Sequence, residues 1–237
     1  MSLLSIVKSV MDSNGWQQPV TTVSSSNDQN MRQCYALANK ALMYVSYKND
    51  WPVLIRENKF TTVADQTDYP LPVDFHHLVA PSAMNASQYY ELKGQLTPLQ
   101  WYRRALQGSI DWTDGFRIDA FGKTLQVAPA PAGGDDLVFM YVTSNVALDV
   151  NNNPIKRYTQ DTDTALVDED VIELDLQWRW RQKKGLDYTA EIAELSGALR
   201  SRYAQYLGFG ELPVGGPSPI NPLTQPSTGN WYPQPST

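Results

Sequence analysis

The spacing of apolar residues changes twice along this chain, and that change limits the fold more than any single motif does. Met31, Cys34, Tyr35, Ala38, Ala41, Leu42 and Val45 recur at intervals of three and four, which places them on one face of a helix running to about Lys48. From Val53 to about Tyr158 the apolar runs are short, alternate with polar residues and are punctuated by turn signals, as strands are. Helical spacing returns after Asp168, in two rows made of Val171, Leu174, Trp178 and Ile172, Leu176, Trp180. The fold class expected is α+β: a helical bundle built from the two chain ends, an inserted mostly-β subdomain and an extended C-terminal arm. The boundaries expected are 1–52 for the N-terminal helices, 53–160 for the β insert, 161–210 for a helical hairpin and 211–237 for the arm.

Local signals fill in the outline. Residues 3–12 predict a short apolar helix stopped by Asn14-Gly15, and Ser26 to Gln29 form a capping-box pattern ahead of the long helix, which Trp51-Pro52 ends. Lys59–Val63 and Tyr69–Leu71 predict one hairpin around a turn at Gln66-Thr67-Asp68. Phe116–Asp119 and Thr124–Val127 predict a second around Phe121-Gly122-Lys123, and Leu137–Val142 a buried strand. Gly185 closes one C-terminal helix, Asp187 caps the next, and Gly208 closes that one.

With 237 residues the chain is long enough for a real core, and a net charge of −6 supplies no general attraction for nucleic acid or anionic membranes. Met1–Lys8 has no secretory-leader pattern and no apolar run reaches the about 18 residues a membrane span needs, so cytoplasmic synthesis without export is expected. The single cysteine, Cys34, lies on the apolar helix face and reads as a buried thiol. Glu211–Thr237 holds seven of the sixteen prolines, no Lys or Arg, and the aromatics Trp231 and Tyr232. Such a segment buries too little of itself to offset its ordering entropy and needs a partner to hold it.

Candidate chemistry is sparse. Gly122-Lys123-Thr124 has the ending of a phosphate loop, but Arg117 stands where its first glycine belongs and no helix follows, so a hairpin turn is expected. Asp149–Asn153 opens like a calcium loop, yet Pro154 and Gln160 occupy the positions of its glycine and its glutamate, which leaves a polar loop. His76 and His77, the only histidines, are adjacent in an extended segment and should point to opposite faces. No catalytic, cofactor or metal residue is assigned, and the chain is read as non-enzymatic. The charge pattern says more: Asp161, Asp163, Asp168, Glu169, Asp170, Glu173 and Asp175 precede Arg179, Arg181, Lys183 and Lys184. That order either matches one helix dipole or lets opposite ends of neighbouring subunits meet.

The segments ending at Asp50-Trp51, the stretch Phe60–Val63 to Tyr69–Phe75, the Phe116–Tyr141 pattern with Pro129 and Pro131, and Trp178-Arg179-Trp180-Arg181-Gln182-Lys183-Lys184-Gly185-Leu186-Asp187-Tyr188 span about 50–207. In this order they resemble the head-to-tail adaptor (head-completion, or connector) proteins of tailed bacteriophages. The resemblance implies a homo-oligomeric ring, commonly of twelve copies, between the portal protein and a tail tube or nozzle protein, in the neck of the virion. DNA would pass through its channel without specific binding, and no membrane is involved. It further implies Trp178, Trp180, Arg179 and Arg181 as subunit-interface candidates, and Asp168, Glu169, Asp170 and Glu173 as candidates facing the channel. Trp231, Tyr232 and Phe209 become partner-binding candidates on the arm. Two other readings remain: a virion-associated carbohydrate-binding or hydrolytic module using Tyr89, Tyr90, Trp101, Tyr102 and Trp112, and local DNA contact through Arg103-Arg104 or Lys183-Lys184.

Overall fold

A computed structural model describes residues 2–16, 19–107, 114–119 and 121–206. Five helices and eleven strands are found among them: α1 (Leu3–Ser13), α2 (Gln29–Lys48), β1 (Ile55–Thr61), β2 (Asp68–Pro70), β3 (Phe75–Leu78), β4 (Met84–Asn85), β5 (Tyr90–Glu91), α3 (Pro98–Gln107), β6 (Gly115–Ile118), β7 (Thr124–Ala128), β8 (Asp136–Thr143), β9 (Ala147–Leu148), β10 (Pro154–Ile155), β11 (Thr164–Ala165), α4 (Glu169–Lys183) and α5 (Thr189–Tyr206). The strands form three antiparallel sheets, and β8 is the hub of the largest, pairing with β1 along one edge and with β3 and β4 along the other.

This is a mixed α+β fold, and it corrects the expectation of a helical bundle with a β insert. The helices do not close a core among themselves. Val142, Val146, Ala147, Tyr158 and Val167, from strands and loops, are buried in the same cluster as Leu3, Ile6, Leu42, Ile172 and Leu176. A bridge pairs Ser2 with Thr164, and the amides of Leu3 and Leu4 donate to the carbonyls of Asp163 and Asp161, so the N-terminus is tied to the β9–β11 region. The physical reason lies in α5, which contributes only Leu195 and Leu199 as buried residues across its 18 positions, so strand and loop side chains complete the core. A second, separate cluster of Tyr69, Phe116, Leu125, Phe139 and Tyr141 fills the space between the other two sheets.

Several local expectations are met. Gly15 and Gly185 take φ of +74 and +70 just beyond α1 and α4, a conformation a side chain disfavours, and Gly122 does the same in the β6–β7 turn. That hairpin registers Phe116 against Val127 and Ile118 against Leu125. Asp28, rather than Ser26, caps α2 by accepting from the amides of Asn30 and Met31. Lys59–Val63 and Tyr69–Leu71 do not pair with each other: β1 pairs with β8 and β2 with β7. The two segments meet through side chains instead: the rings of Phe60 and Tyr69 lie 4.5 Å apart, and the Tyr69 hydroxyl accepts from the Val63 amide at 3.1 Å. The helix α3 was not expected at all; Thr97 and Gln100 cap each other at its start, with Pro98 in the first turn. No helix among the described residues is long and apolar enough to cross a membrane.

Candidate functional site

The surface formed by α2, α4 and α5 gathers most of the candidate residues. Trp180 is buried, with the ammonium of Lys184 4.4 Å from its ring centre, whereas Trp178 is only half-buried. This follows from helical geometry, because residues two apart face different directions. The Trp178 indole N–H donates to the carboxylate of Asp175 at 2.8 Å, and the Arg179 guanidinium binds the same carboxylate at 2.5 Å. Asp175 is fully buried, and burial raises its pKa while Arg179 and the indole N–H pull it down. Arg179 also lies over the rings of Trp178 and Tyr44, at 4.6 and 5.1 Å, so its charge is held inside the fold. Arg181 turns outward to Glu191 at 3.1 Å and donates to the Asp187 carbonyl.

The run of acids divides into two groups. Asp161 accepts from the amides of Val23 and Ser24, and Asp163, fully buried, accepts from the amides of Thr159 and Gln160. With Asp175, these three serve the interior. Of the other four, Asp168 is the N-cap residue of α4 and Glu169 and Asp170 lie in its first turn, where the helix dipole favours them, while Glu173 follows in the second turn. Asp168 and Asp170 both pair with Arg202, at 3.0 and 3.1 Å, which joins the start of α4 to α5. Glu173 accepts from the Ser9 hydroxyl of α1. Glu169 is half-buried in the first turn.

A groove of 450 Å³ runs between the C-terminal half of α2 and the α4–α5 pair, lined by the rings of Tyr44, Trp178 and Tyr203, by Ile192 and Leu199, and by Lys48 and Arg200 at its rim. Tyr44 and Ile192 are exposed in it, and the buried Trp51 makes edge contacts with Tyr203 and with the exposed Tyr206. Composition alone did not point to this groove. The signal was present, because the spacing of Ile192, Leu195, Leu199, Tyr203 and Tyr206 covers more of α5 than its neighbours bury.

Other candidates fall elsewhere. Cys34 is buried, and burial pushes its thiol up to about 12 despite Lys184 nearby, so the thiol is inert at neutral pH. Asp149 accepts from the amides of Asn151 and Asn153, which makes its loop an ordinary side-chain-closed turn. His76 and His77 do not point apart: a register shift between Phe75 and His77 in β3 brings their Nδ1 atoms to 2.6 Å. His77 continues to Asp50 at 2.9 Å, and His76 stacks on Tyr47 at 3.7 Å. No group of three or more His, Cys, Asp or Glu suited to a metal is gathered among the described residues.

Among the described residues, the aromatic candidates of the sheet region sit on different elements: Tyr90 in β5, and Trp101 and Tyr102 in α3. One face of Trp101 is covered by the Arg117 guanidinium at 4.2 Å. The Tyr90 hydroxyl donates to Asp114, and burial with that bond pushes its pKa up to about 12. Tyr89 and Tyr102 are exposed on a turn and on α3 respectively. Arg103 and Arg104 lie on α3, and Lys183 and Lys184 end α4, in the other half of the molecule. Trp112, Phe209, Trp231 and Tyr232 lie outside the described residues. No protein-family model matches the chain, and no curated protein is similar to it.

Proposed function

We propose that the chain is a structural, non-enzymatic virion protein: a head-to-tail adaptor that assembles as a ring of twelve copies between portal and tail and extends the DNA channel. The observation that carries this reading is α5, an 18-residue helix that buries only Leu195 and Leu199 and leaves an aromatic groove open beside it. A half-apolar surface with charged residues around it is what a subunit interface looks like before its partner arrives. Acids at the start of α4 and bases at its end give that surface two oppositely charged ends, suited to meeting the next copy around a closed ring. In this reading Asp168, Glu169, Asp170 and Glu173 face the channel, where their negative charge, in excess of the one Arg202 cation that pairs with Asp168 and Asp170, repels passing phosphates. Phe209, Trp231 and Tyr232 anchor the arm on the portal or on the tail.

Mixing the chain with the portal protein of its own virion tests this. Negative-stain images and light scattering should show rings seated on the portal. If the mixture contains only free monomer beside free portal, the reading fails.

A further inference from the structure

The two histidines tie the end of α2 to β3. Among the described strands β3 pairs with β8 alone, and the register shift between Phe75 and His77 brings both imidazoles together. His76 stacks on Tyr47 at 3.7 Å and His77 meets Asp50 at 2.9 Å, so each ring reaches the α2 end by its own contact. Between the rings, the two Nδ1 atoms stand 2.6 Å apart. Counting protons shows what that contact tolerates. A carboxylate only accepts, so Nε2 of His77 carries a proton for Asp50. While His77 is neutral its Nδ1 therefore bears a lone pair, and His76 donates to it from Nδ1–H. One extra proton leaves the contact whole: either His76 holds both ring protons and still donates, or His77 holds both and His76 accepts after its own proton moves to Nε2. A second extra proton sets two N–H groups and two positive charges face to face with no lone pair between them, and the rings have to part.

The surroundings balance one such charge and not two. Asp50 stands against His77, and Glu91 of β5 lines, with both histidines, a cavity of 580 Å³ beside them. Asp74, two residues ahead of His76, is engaged by the hydroxyls of Tyr141 and Thr143 at 3.0 and 2.7 Å. From α2 the group over His76 is the Tyr47 ring, whose hydroxyl donates to the Ser144 carbonyl just beyond β8. Burial and the neighbouring His77 lower the pKa of His76. We propose that this pair is an acid-opened latch: with no extra proton or with one it ties β3 to the end of α2, and the second extra proton parts the rings and releases β3 from the helix side. Opening follows His76, so it lies below the ordinary histidine pKa of about 6.5.

The latch needs no partner, so it is read on the free full-length chain, whatever the outcome of ring assembly. The chain has no other histidine, so every imidazole nitrogen signal of the isotope-labelled protein belongs to this pair. Near about pH 7.5 the two Nδ1 nuclei should show a coupling across their shared proton. That coupling should survive the first protonation and be lost with the second. Protection of the Val79 and Ser144 amides, which donate to the carbonyls of Met140 and Asp74 on either side of β3, should drop in the second step while the amides of α4 keep theirs. His76→Phe, which keeps a ring on Tyr47, and His77→Ala, which leaves His76 in its stack, should each abolish both the coupling and the acid step in protection. Absence of the coupling near pH 7.5 overturns the proposal, as does a coupling that persists once both rings are protonated. An acid step that both variants retain also overturns it, and assigns the opening to the carboxylates.

Discussion

The two buried clusters of this molecule are built differently. The helix-side cluster draws on α1, α2, the 142–167 strands and loops, α4 and α5, so it joins residues from both ends of the chain and is dominated by aliphatic side chains. The sheet-side cluster draws only on residues 60–141, is smaller, and rests on ring contacts such as Phe60 with Tyr69 at 4.5 Å and Phe75 with Tyr141 at 5.8 Å. Their polar content differs too. On the helix side a buried carboxylate, Asp175, is held by Arg179 and Trp178, whereas on the sheet side a buried neutral amide, Asn85, links Tyr90 and Asp135. A core that closes contacts across the whole sequence unfolds as a unit, while a more local one can open by itself.

The strongest test of that contrast is Arg179→Met. It leaves Asp175 buried without its cation, a change worth about 3–5 kcal/mol, and chemical denaturation should show the whole chain destabilised. Phe139→Ala removes the central ring of the sheet-side core at about 3 kcal/mol. Its signature differs: amide exchange should rise in β1, β4 and β8 while α2 and α4 keep their protection, and equal loss in both regions would break the comparison. Thr97→Ala removes the cap of α3 at about 1 kcal/mol and should free the amides of that helix alone.

The smallest effect concerns the seam where β3 meets the end of α2. Burial and the neighbouring His77 lower the pKa of His76, so the folded chain binds this proton less readily than the unfolded chain. The stability it contributes is present above the ordinary histidine pKa of about 6.5 and is lost as pH falls below it. His76→Phe keeps a ring on Tyr47 and removes the titration. The difference in thermal midpoint between about pH 7.5 and about pH 5.5 should therefore shrink in the variant.

The ends of the fold were legible and its middle was less so, for a physical reason. Helix periods and caps are local, so α1, α2, α4 and α5 could be read from Asn14-Gly15, Gly185 and the apolar rows. Strand partners are not local: Lys59–Val63 and Tyr69–Leu71 have hairpin texture, yet their backbones pair with β8 and β7. Alternation shows that a strand exists without naming its neighbour. The mark of α3 was in plain view as Thr97-Pro98 followed by Gln100, but the surrounding β texture masked it. The histidine pair depended on one register shift in β3, which sequence does not announce. The acidic run showed its charge but not its division, in which Asp161, Asp163 and Asp175 hold the interior and the remaining acids lie at the cap and in the first two turns of α4.

The central claim is that copies meet through the α2–α4–α5 face and leave the sheet-side region outside the contact. Lysine cross-linking of equal parts light and heavy chain, assembled on the portal, reads this directly because a mixed-isotope link joins two different copies. The account predicts that such links involve Lys40, Lys48, Lys183 and Lys184 on the helical side. Mixed links confined to Lys59, Lys93 and Lys123 on the sheet side, or no mixed links at all, would contradict it.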